Sequence, residues 1–152
     1  MASDRDVVAQ QIGREPRAFG RVVVRCPFGK PAVTEQTPFD DAGAPFPTTF
    51  WLTCPHLVAQ VSRLEAAGGV ERWTHTALID PVLAQSLAHA NEEQRSLRPE
   101  LPGGIAGAPP GAPSLKCLHA HVAFALARPG YELGEAIVAE LEPLWPGRCC
   151  TE

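Results

Sequence analysis

Proline and glycine interrupt this chain so often that no regular element can run far. Sixteen prolines and thirteen glycines stand among 152 residues, above ordinary usage. They gather at 27–31, 37–48, 68–69, 99–113 and 129–130, where proline removes ladder and helix hydrogen bonds and glycine admits turns. Between these breaks the chain is 45% hydrophobic and 20% charged, the composition of a globular protein. Its length suits one ordinary domain that buries a core without needing disulfides. We therefore expect one globular domain over residues 1–148 and a short tail over 149–152.

The segments between the breaks read as follows. Ser3 and Asp6 form a capping-box pattern ahead of Val7, Val8 and Ile12, giving a short amphipathic helix over 4–13. The β-branched run from Gly20 to Cys26 predicts a strand, and Ala32 to Gln36 returns beside it as a hairpin. Thr49 to Cys54 reads as another strand, and Pro55 then opens a helix with Leu57, Val58, Val61 and Leu64 on one stripe until Gly68-Gly69 stops it. Asp80-Pro81 caps a further helix. Helices are also expected from near Ser114 to the Pro129-Gly130 break, and over 134–144. The fold class is α+β, with a small antiparallel hairpin or three-stranded sheet over about residues 20–54 and about four helices packed against it.

A net charge of −4 and a pI near 5.7 give no general field for nucleic acid or anionic lipid. The N-terminus has neither the pattern of a signal peptide nor a long apolar span, which points to a cytoplasmic protein without a membrane span. Five cysteines are an odd number, and in a reducing compartment metal binding or burial accounts for them better than a disulfide framework.

Cys117 and His121, four residues apart on an expected helix, point the same way, whereas His119 points elsewhere. Cys26 and Cys54 each precede a proline at an element end. Cys26, Cys54, Cys117 and His121 would complete a tetrahedral zinc shell, and the three thiolates alone could hold an iron–sulfur cluster. The same residues could instead pack as core, with no metal. His119 and His56 are alternate ligands. His75 and His89 read as packing or surface residues, and Cys149-Cys150 as a reducible tail. Glu35, Asp40 and Asp41, with His119, are the acid–base candidates beside such a metal. Arg25, Lys30 and Lys116 could receive a small anionic ligand. No nucleotide-binding loop, Gly-x-Ser-x-Gly elbow or His-Glu-x-x-His helix is present.

The segments Arg25-Cys-Pro-Phe-Gly-Lys-Pro31, Pro45-Phe-Pro-Thr-Thr-Phe-Trp-Leu-Thr-Cys-Pro55 and Lys116-Cys-Leu-His-Ala-His121 together resemble an uncharacterised bacterial family, a domain of unknown function sometimes labelled septum formation initiator. The resemblance spans most of residues 10–130 and implies a cytoplasmic bacterial protein with no assigned activity. It singles out the three segments that carry Cys26, Cys54 and Cys117. Two functional readings follow: a small metalloprotein built on the Cys/His set, or a binding or adaptor protein, linked to division or envelope processes, whose Pro-rich loops present a surface to a protein partner.

Overall fold

The computed structural model describes residues 2–112 and 114–150 and has an α+β fold. Pro113, Thr151 and Glu152, the ends of the expected central loop and tail, lie outside the described residues. Strands β1 (Phe19–Arg25), β2 (Pro31–Gln36) and β3 (Phe50–Leu52) form an antiparallel sheet in the order β1-β2-β3. The β1–β2 hairpin closes where the Cys26 amide donates to Lys30 O at 2.9 Å. The register of β1 slips at three places, between Phe19 and Arg21, between Val22 and Val24, and between Val24 and Arg25.

Alternation sorts the sheet into two faces. Val33 pairs with Leu52 and Glu35 with Phe50 on one face, and Thr34 pairs with Trp51 on the other. Helix α1 (Asp4–Ile12), closed by the reciprocal Ser3–Asp6 capping box, packs on β1 and β2. It is fastened where Gln11 Nε2 donates to Pro31 O at 2.8 Å. Trp51 stacks on Phe46 of the Pro-rich 37–48 loop, with centroids 5.0 Å apart.

Helices α2 (Pro55–Ala66), α3 (Gly69–Ile79), α4 (Pro81–Leu97), α5 (Leu118–Ala127) and α6 (Glu132–Val138) follow, with a 3-10 turn at Ile105–Gly107. Pro55 and Pro81 each take a first-turn position, and Asp80 Oδ1 accepts from the amides of Val82 and Leu83. Among the described residues six α-helices form where about four were expected against the sheet. Helix α2 stops before Gly68-Gly69 as expected, but a further helix follows at once: Gly68 takes φ 85° as the N-cap, and α3 starts at Gly69. Gly69 sits where a Cβ would come within 2.6 Å of Leu64 O and 3.0 Å of a Leu118 methyl. The pair therefore makes a tight corner between two helices. No helix among the described residues is long and apolar enough to cross a membrane.

Helix α5 is the centre of the core. Leu118, Ala120, His121, Val122, Ala123, Phe124 and Ala125 are all buried, so the stretch from Ala120 to Ala125 has no solvent face, which requires neighbours all round. It packs on β3, α2 and α6. Phe124 meets the edges of Phe50 at 5.5 Å and Tyr131 at 5.7 Å, both near-perpendicular. Helix α6 approaches closely at Gly134, where a Cβ would lie 2.7 Å from that of Ala125. Helix α6 ends at Val138 rather than near 144, because Glu140 and Leu141 tighten to Ile137 O and Val138 O ahead of Pro143. Phe124→Ala should cost about 3–5 kcal/mol, the range for emptying an aromatic site in a core. Chemical denaturation checks this, and a cost near zero would contradict α5 as the centre of the core.

Candidate functional site

Helix α2 ends beside the start of α5, and this junction gathers the side chains with chemical potential. Ser62 and Glu65, three residues apart, share one face of α2. Cys117 is the N-cap of α5, in extended conformation at φ −148° and ψ 117°, and follows Lys116 in the left-handed region at φ 70°. Helical geometry therefore begins only at Leu118. Cys117 and His121 do not share a helical phase, whereas His119 in the first turn folds back toward Cys117.

Among the described residues one group of three or more potential ligands forms, Glu65, Cys117 and His119, with ligand atoms all within 4.8 Å of one another. His119 Nδ1 lies 3.8 Å from Cys117 Sγ and 3.3 Å from Glu65 Oε2. The other ring nitrogen, Nε2, lies 3.2 Å from Ser62 Oγ. Glu65 Oε2 also accepts the Leu118 amide at 2.8 Å, placing a carboxylate at the positive end of α5. Glu65 and His119 side chains are about a quarter exposed, at 27% and 26%, so the group is open to an ion or small molecule.

Electrostatics couple the three groups. Burial alone would raise the Cys117 thiol, but the His119 imidazole, by hydrogen bond and charge, and the Ala120 amide together outweigh it and hold the thiol below its ordinary range. His119 is raised in turn, first by the Cys117 sulfur, against burial and with help from the Glu65 charge.

The expected quartet does not come together. Cys54 is the N-cap of α2, a buried position separated from Glu65 by the helix's length of roughly 16 Å. Its Sγ lies 3.9 Å from that of Cys150. Cys26 stands in the hairpin turn, where its backbone holds Lys30 and Gly29. His121 is 2% exposed, with Nδ1 2.7 Å from Tyr131 Oη and Nε2 3.2 Å from Leu115 O. A carbonyl can only accept, so Nε2 carries the hydrogen and Nδ1 accepts from the tyrosine hydroxyl. Both nitrogens are thus engaged inside the core, and His121 takes no part in the ligand group.

The other candidates divide as follows. His119 joins the group, while His56 Nε2 lies 2.8 Å from Pro143 O. Asp40 Oδ1 accepts the amides of Ala42 and Ala44, and its other oxygen faces Arg17, so it shapes its own loop. Asp41 is paired with Arg5. Arg25 binds Asp4 at 2.7 Å and Gly29 O at 3.0 Å. Arg25 ends β1 and Lys30 lies in the turn that follows it, whereas Lys116 precedes α5. A groove of about 350 Å³ between α3, α4 and the 105–115 segment has Leu115 and His121 among its lining residues and none of Glu65, Cys117 or His119.

Glu65, a member of this group, and Ser62, which touches it, are residues that the sequence reading missed. The available signal was an acidic residue in the last turn of α2, where the helix dipole disfavours it.

Burial holds the His121 imidazole down at about 4, below its ordinary value of about 6.5. Between these values the unfolded chain takes up a proton that the folded one refuses, so His121 removes stability as pH falls from about 6.5 to 4, by about 3 kcal/mol in all. Denaturation at stepped pH should show a shallower acid slope for His121→Gln than for the wild type. Tyr131→Phe leaves Nδ1 without its donor and should cost about 1–3 kcal/mol at neutral pH.

Residues 22–103 match the family model described as "Protein of unknown function (DUF501)", which bears out the resemblance to an uncharacterised family. The matched stretch contains Ser62 and Glu65 and ends before Cys117 and His119. No curated protein and no solved structure matches the chain.

Proposed function

The chain belongs to the DUF501 family, which carries no assigned activity, and from the geometry at the α2–α5 junction we propose that it binds a single zinc ion through Cys117, His119 and Glu65. One observation carries this reading: a single ring nitrogen, His119 Nδ1, faces both the Cys117 sulfur and the Glu65 carboxylate. In a nucleophile–base–orienter triad the two partners divide between the two ring nitrogens. Ligands of one ion converge instead. Zinc bonds of roughly 2.0–2.3 Å at tetrahedral angles set ligand–ligand separations of roughly 3.3–3.6 Å. The separations of 3.8 Å for S···N and 3.3 Å for N···O lie close to that range.

The surrounding residues support the same reading. Ser62 Oγ on Nε2 fixes the imidazole orientation and leaves Nδ1 toward the ion, as outer-shell partners of metal-bound histidines do. The Leu118 amide orients the Glu65 carboxylate. One thiolate, one imidazole and one carboxylate suit zinc, whereas an iron–sulfur cluster requires three or four cysteine ligands at one place. Three protein ligands leave one tetrahedral position to a non-protein ligand, the ligand count of catalytic rather than closed structural zinc. A bound zinc ion supplies Lewis acidity at that position.

Elemental analysis of the purified chain should find one zinc per chain, and cobalt(II) substitution should give a sulfur-to-cobalt charge-transfer band that Cys117→Ser removes. Glu65→Gln and His119→Ala should each abolish stoichiometric binding, and Ser62→Ala should weaken it by roughly 10–100-fold. Cys26→Ala should leave it intact. A folded wild-type chain that takes up no zinc or cobalt would sink the proposal. It would return the weight to partner binding, for which the exposed Leu78, Ile79 and Val82 at the α3–α4 corner are the apolar surface.

A further inference from the structure

Away from the α2–α5 junction a second pair of sulfur atoms approaches closely. Cys54 Sγ lies 3.9 Å from Cys150 Sγ, 96 positions along the chain. Cys54 is 2% exposed at the N-cap of α2, whereas Cys150 is exposed. The segment that brings Cys150 there is docked, because His56 Nε2 and Gln60 Nε2 meet Pro143 O at 2.8 and 3.0 Å. Cys149 beside it is 6% exposed. One sulfur is thus reachable from solvent, and the other is buried beside it.

From this arrangement we propose that Cys54 and Cys150 are a reversible thiol–disulfide pair, oxidised by low-molecular-weight disulfides, with Cys150 the entry thiol and Cys54 the resolving one. Cys150 loses its proton to solvent and attacks one sulfur of the small disulfide. That bond breaks, one small thiolate leaves and takes up a proton, and a mixed disulfide remains on Cys150. Cys54 then loses its proton to solvent and attacks the Cys150 sulfur, the mixed disulfide breaks, and the second small thiolate departs and is protonated. Two protein thiols are oxidised and one small disulfide is reduced to two thiols. Closing the sulfurs from 3.9 Å to a bond of about 2.05 Å needs a side-chain rotation and a small shift of the Cys150 segment.

The division of labour follows from environment. Burial, together with the neighbouring Cys150, pushes the Cys54 thiol up to about 11, against the amides of Leu57 and His56. Cys54 is therefore protonated at neutral pH and shielded from reagents, and the exchange begins at Cys150. Resolution by Cys54 is the slow step and quickens as pH rises.

The test is to incubate the folded full chain with oxidised glutathione, alkylate the remaining thiols, and map the peptides by mass spectrometry. The expected product is an intrachain Cys54–Cys150 link with the loss of two hydrogens, reversed by dithiothreitol, and forming faster at pH 9 than at pH 7. Cys150→Ser, a change at an exposed position, should leave Cys54 reduced and unlinked. Cys54→Ala should stop the reaction at glutathione on Cys150. A link from Cys54 to Cys149, a link between chains, or a wild-type product that stays at the mixed disulfide would each overturn the proposal. Thermal denaturation of the oxidised wild type should show a higher Tm than the reduced form, since the bond closes a long loop, and Cys150→Ser should show no such rise.

Discussion

A helical stretch with no face to water cannot exist without partners on every side, and α5 is such a stretch from Ala120 to Ala125. Its side chains alternate between the sheet, α2 and α6, so the arrangement of those elements is dictated by what α5 must bury. Its one buried imidazole would be costly there if either nitrogen lacked a partner. Tyr131 and the Leu115 carbonyl satisfy both. They also tie the segment entering α5 to the helix that follows it, so the polar group fixes the positions of two chain segments around the apolar core.

The same helix sets the candidate metal group, because its N-terminus is where burial gives way to solvent. The positive end of α5 meets the negative end of α2, and Glu65 and the Leu118 amide sit at that contact. A thiol at the N-cap and an imidazole in the first turn are then close to a carboxylate without any loop having to fold over them. Cys54 takes the equivalent N-cap position on α2, so the chain uses cysteine twice at a helix start, once beside a histidine and an acid and once beside another cysteine.

The elements set by local chemistry were legible in the sequence: the hairpin, the strand-to-helix passage at Cys54-Pro55, the Asp80 cap and the Ser3 capping box. What failed depended on phase and on distance along the chain. The pairing of Cys117 with His121 assumed a helix starting by Cys117, and the left-handed Lys116 delays that start to Leu118, which exchanges His121 for His119. Glu65 lies more than fifty residues from its partners and on an ordinary amphipathic helix, so only the packing of α2 against α5 could reveal it. Helix α3 was hidden because two glycines read as a stop, whereas here they form a corner between helices.

The three register slips in β1 bear on how this chain behaves among copies of itself. A seven-residue strand containing Val22, Val23 and Val24 at the open side of a sheet is a natural template for a foreign strand. Each slip breaks the even spacing of donors and acceptors that a template needs and increases local twist. Arg21 and Arg25, engaged with Glu35 and Asp4, add charge along the same edge. The irregular hairpin keeps a β-branched strand at the sheet margin while discouraging aggregation through it.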